Sequence, residues 1–93
     1  MASVRRFKKD IDFVSDEIIV ECFVYNYIFP ERNEDALTEI ITGAINMKID
    51  LKDQINKVKK SNEPAKKEFK TIRENMVKAV QELVGRLDNL EKA

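Results

Sequence analysis

"IIVECFVYNYIF", residues 18–29, holds ten apolar residues out of twelve, interrupted only by Glu21 and Asn26. Its β-branched and aromatic content would suit a buried strand if the stretch stood alone. Extending the reading toward the N-terminus changes that. Val4, Phe7, Ile11, Val14, Ile18, Cys22, Tyr25 and Phe29 follow one another at intervals of three or four, the period of one helix face. No other segment reads as a strand, and a lone strand would leave its backbone N–H and C=O groups without partners. The stretch is therefore the second half of a long helix, and the chain is all-α.

The rest of the sequence agrees. Breaks occur at "PERN" (30–33) and "KSNEP" (60–64) and divide the chain into three segments of similar length. The second segment carries Leu37, Ile41, Ala44, Leu51, Ile55 and Val58, flanked by Ile40 and Met47. The third carries Ala65, Phe69, Ile72, Met76, Val80, Leu83, Leu87 and Leu90 on one face at about 100° per residue. Asn33 is the expected N-cap of the second helix, with Glu34 and Asp35 in its first turn, where carboxylates suit the helix dipole. Ser61 or Asn62 would cap the third, with Pro64 tolerated in its first turn. Helices are predicted at about 4–29, 34–59 and 63–91. Short connections make neighbours antiparallel, giving a single domain over residues 1–93: an up-down-up three-helix bundle.

A second apolar stripe stands out on the first helix. With Ile18 at 0°, the core stripe lies near 0°, whereas Val20, Phe23, Val24 and Tyr27 fall at about 140–240°. A three-helix bundle buries one broad face of each helix, not two. The exposed stripe marks an interface, expected at Ile19, Val20, Phe23, Val24 and Tyr27. Self-association is the simplest use of it, since a symmetric pair needs no other molecule.

Seventeen basic and seventeen acidic residues cancel overall, so any electrostatic message lies in their distribution. The up-down-up order gathers Arg5, Arg6, Lys8, Lys9, Lys57, Lys59, Lys60, Lys66, Lys67 and Lys70 at one end, against Asp10, Asp12, Glu63 and Glu68. The chain is neutral but polarised along its length. Cations at the ends of helices are favourable at a C-terminus and mildly unfavourable at an N-terminus. Arg5, Arg6, Lys8, Lys66 and Lys67 therefore do not serve their own helices. The alternative function follows from them: an anion- or nucleic-acid-binding module using Arg5, Arg6, Lys8, Lys9, Lys59, Lys60, Lys66, Lys67 and Lys70. The bland reading is a solvated helix end. The only interleaved aromatics, Phe7 and Phe69, belong to the core stripes, which weighs against base stacking.

Enzymatic chemistry finds no foothold. The chain has no histidine, which removes Ser-His and Cys-His nucleophile systems and the Glu-x-x-His signature of di-iron bundles. Cys22 lies on the core stripe and reads as a small buried hydrophobe. One Cys and no His leave a transition metal without its usual ligands. Neither glycine belongs to a phosphate loop. Lys48 falls inside the second helix's apolar stripe, within reach of Glu17 across the first connection, or else extends its amine past the core edge. No cofactor and no catalytic residue are expected. The apolar run is too short for a bilayer, which needs about 20 residues, and acidic residues interrupt any signal-peptide core. A cytoplasmic protein is expected.

The segments "VRRFKKDIDFV" (4–14) and "ECFVYNYIFPERNEDA" (21–36) resemble a small all-helical family of uncharacterised bacterial proteins. The resemblance covers mainly residues 4–36. It implies a helical fold and carries no activity, ligand or catalytic residue. The expected function is a non-enzymatic interaction module that associates with itself or with a partner helix.

Overall fold

A computed structural model describes the backbone of residues 2–60 and 66–92, and side chains at 5–58 and 67–91. Helix α1 spans Ala2–Ile28, α2 Glu34–Lys60 and α3 Lys66–Lys92. The described residues contain no strand, and the three helices pack against one another as an all-α bundle whose Cα trace extends 50 × 17 × 17 Å. The expected caps at Ser61 and Asn62, with Pro64 and Ala65, lie outside the described residues.

Side-chain pairs fix the directions. Lys8 donates to Asn56 at 2.8 Å, Asp12 meets Lys52 at 2.6 Å, and Asp16 meets Lys48 at 3.1 Å, so α1 and α2 run antiparallel. Arg73 lies over the Phe7 ring and Tyr25 reaches Leu90, so α3 runs parallel to α1. Helix α2 packs against both neighbours, and the α1–α3 contact is the smallest of the three.

The core is made by the inner stripes: Phe7, Ile11, Ile18, Cys22 and Tyr25 from α1, Leu37, Ile40, Ala44, Met47, Leu51 and Ile55 from α2, and Ile72, Leu83 and Leu87 from α3. Phe69, Met76, Val80 and Leu90 are half-buried at its edge. Helix α3 meets α2 closely at Gly43, where an added Cβ would stand 2.8 Å from Leu83 Cδ2. Phe29, expected in the core, is exposed instead. The helix has already ended there, and the ring stacks on Tyr25 and beneath the Arg32 guanidinium rather than pointing inward.

The first connection is tightly built. The Phe29 N–H closes the last turn of α1 on the Tyr25 carbonyl (2.8 Å), and the Arg32 N–H returns to the Phe29 carbonyl (3.2 Å). Pro30 takes the second position of this turn and Glu31 the third, with φ of 65°, a value that favours Gly or Asn there. Asn33 follows with φ of 54°, which Asn tolerates. Its carbonyl accepts the Leu37 N–H at 2.9 Å, so it stands where the cap was expected. Its side-chain amide, however, donates to the Tyr25 hydroxyl at 2.8 Å. That hydroxyl in turn lies 3.5 Å from the Leu90 carbonyl, so one phenol ties α1 to the turn and to α3.

Candidate interaction surface on the first helix

The residues expected to form an interface divide by exposure. Val20 (56%), Phe23 (60%), Val24 (51%) and Tyr27 (87%) all stand in solvent, and Phe13, about two turns before Val20, is 67% exposed. Ile19 is half-buried and packs on the core edge facing α2. Phe13 lies at about 220° on the helical wheel, inside the same stripe. Its separation from the dense run at 18–29 hid it from the sequence reading, although its position relative to Val20 and Val24 placed it there.

The neighbouring helix extends the patch. The ion pairs joining α1 to α2 set a register that brings Ile45 level with Ile19 and Ile41 level with Phe23. Phe23 and Ile41 line a groove together with Asn26, Glu34 and Thr38. Ile45 and Ile49 are exposed. Neither belongs to the α2 core stripe: at about 100° and 140° from Ala44 they lie off it, a signal already present in the spacing.

The patch is bounded by charge. Asp12 and Asp16 form a chain with Lys48 and Lys52: Asp12 to Lys52 at 2.6 Å, Lys48 to Asp16 at 3.1 Å and to Asp12 at 3.7 Å. Lys48 therefore pairs with Asp12 and Asp16, not with Glu17. Glu17 lies at about 260°, on the α3 side of α1, whereas the two aspartates face α2. The hydrogen bond from Lys52 holds Asp12 below its ordinary range, and the bond to Asp16 raises Lys48 above its own. Both ends of the chain are solvated, so its main effect is on helix register rather than stability.

The described basic residues at the far end lie on different faces of the bundle. Arg5, Arg6 and Lys9 are exposed at about 140°, 240° and 180°, on the same outer face of α1 as the apolar stripe. Among the described residues they make no ion pair. Lys8 is committed to Asn56 and Lys57 to Asp53. Lys67 and Lys70 line a groove between α2 and α3 of about 690 Å³, but Glu68 and Glu74 line it too. The side chains of Lys59, Lys60 and Lys66 lie outside the described residues.

Burial, with Glu21 beside it, pushes the Cys22 thiol up, away from the thiolate form. No cluster of His, Cys, Asp or Glu that could hold a metal occurs among the described residues, and no helix there is long and apolar enough to cross a membrane. What the face can do is exclude water against another apolar surface. Comparison with protein-family models, with curated proteins and with solved structures finds no match.

Proposed function

We propose that the protein is a non-enzymatic assembly module that associates with a second copy of itself through the outer face of α1. The observation that carries this reading is the number of large apolar side chains exposed on one side of α1. Phe13, Val20, Phe23, Val24 and Tyr27 lie along one helix face more than half exposed, with Asp16 between Phe13 and Val20, and with Ile45 of α2 level with Ile19. Soluble monomers rarely leave so many large apolar side chains together in water. Full burial of a large apolar side chain gains about 1.5–3 kcal/mol. Several from each copy offset an association cost of about 4–15 kcal/mol and leave a dimer in the micromolar range.

The anion-binding alternative is less well supported. The lysines of the α2–α3 groove share it with Glu68 and Glu74, and Lys8 and Lys57 are engaged within the fold. Light scattering after size exclusion, from sub-micromolar to about 100 µM, tests the proposal. A dimer that Phe23→Glu converts to a folded monomer supports it. A monomer at every concentration that binds DNA or RNA at about 50 mM salt would favour the basic end instead.

A further inference from the structure

The outer face of α1 is patterned along its length as well as around it. Arg5, Arg6 and Lys9 occupy its first turns, exposed and without an ion partner among the described residues. Phe13, Val20, Phe23, Val24 and Tyr27 follow, with Asp16 and Glu17 exposed between the first two. Beyond them lies the first connection, where Glu31, Glu34 and Asp35 are all exposed and outnumber the one cation, Arg32, and Glu34 lines the groove beside Phe23. Basic, apolar, acidic: such a face is complementary to itself when turned end for end.

We infer that the self-association proposed above is antiparallel and two-fold, with its axis passing close to Val20. This inference rests on that reading and adds geometry to it. Two α1 helices crossing at Val20 set Phe13 of each copy against Tyr27 of the other, two exposed aromatics that are each about 7 residues, or roughly 10 Å, from the axis. Lys9 stands about 16 Å from the axis on the opposite side, level with the partner's turn that carries Glu31 and Glu34. Arg5 and Arg6 lie beyond it, over the same acidic end. Asp16, which falls opposite Val24, is already turned toward Lys48 and is not left facing an apolar surface unpaired. A parallel arrangement would instead stack Arg5, Arg6 and Lys9 of one copy on their own counterparts and set the two acidic turns together. Like charges would then meet at both ends, so the charge pattern selects the antiparallel form. It also gives the cations at the start of α1 a role that the dipole of their own helix does not provide.

Cysteine cross-linking in a chain carrying Cys22→Ala reads the geometry directly. Val20→Cys should oxidise to a covalent dimer by itself. Phe13→Cys and Tyr27→Cys should each cross-link poorly alone and efficiently when mixed. Efficient self-linkage of Phe13→Cys and Tyr27→Cys, with no gain on mixing, would show a parallel pair: the antiparallel inference fails and self-association stands. A chain that is monomeric by light scattering before oxidation overturns both. Charge exchange gives a second reading that needs no cysteine. Lys9→Glu and Glu31→Lys should each weaken the dimer about 3–10-fold at low salt, and the double variant should recover most of the loss. A double variant weaker than either single change would overturn the antiparallel pairing.

Discussion

The inner and outer faces of α1 are made from the same kinds of residue in the same helix. Ile11, Ile18, Cys22 and Tyr25 point one way and are buried, while Phe13, Val20, Phe23 and Tyr27 point the other way and stand in water. Composition does not separate them. What differs is the company each face keeps. The inner face meets α2 along its whole length and α3 along part of it, whereas no described residue covers the outer one. An apolar side chain contributes to folding only where the chain's own topology supplies a partner, and elsewhere its contribution waits for another molecule.

Substitutions on α1 can sharpen or break that contrast. The largest expected effect is Ile18→Glu, which places a charge where the side chain is 4% exposed. An unpaired buried charge costs more than a domain of about 5–15 kcal/mol stability tolerates, so circular dichroism should show an unfolded chain. Phe23→Glu, five residues on, should keep its helical signal and lose only its dimer. Equal unfolding by both variants would mean that the two faces are not distinct.

The two tyrosines give the next test. Tyr25→Phe removes the hydroxyl that accepts from Asn33 and lies beside the Leu90 carbonyl, and should lower stability by about 1–2 kcal/mol in urea titration. Tyr27→Phe, on the exposed side, should stay within about 0.5 kcal/mol. Ser15 is an exception on the inner face. It is fully buried, and its hydroxyl has no hydrogen-bond partner among the described residues. Ser15→Ala should therefore stabilise the fold by about 1 kcal/mol, and a clear loss would show that the hydroxyl does find a partner.

The smallest effect belongs to the edge between the faces. Asp12 is held below its ordinary range by Lys52, so the folded state binds its proton less readily than the unfolded one. That contribution is present at neutral pH and is lost as pH falls below about 4, through the folded value. Asp12→Asn should cost at most about 1 kcal/mol at pH 7 and flatten the acid limb of the stability curve.

The sequence made the three helices and the exposed stripe legible because helical period and sparse breaks are local signals. It was less informative where the outcome depended on neighbours. Phe29 continued the α1 period, yet the turn at Pro30 carried it out of the core. Lys48 lay close to a carboxylate in any register, but only the packed helices chose Asp12 and Asp16 over Glu17. Asn33 had the right identity for a cap, and the nearby Tyr25 hydroxyl engaged its side chain instead. The burial of Ser15 had no signal in the helical period, because it depends on how closely α2 packs beside the core stripe. Ile45 and Ile49 were legible as apolar positions off the α2 stripe, but their level along α1 depended on the register of the two helices.

The unequal helix contacts also bear on how the chain folds. Helices α1 and α2 are adjacent in sequence, joined by a short, tightly hydrogen-bonded turn, and share the largest contact, whereas α1 and α3 share the smallest. Both sequence-adjacent pairs cost little loop entropy to form, so the larger contact makes the α1–α2 hairpin the expected nucleus, with α3 docking onto α2 afterwards. Destabilising changes at Ile11 or Leu51 should then slow folding, while changes at Leu87 should mainly speed unfolding. In that order the outer face of α1 takes its shape before the bundle is complete.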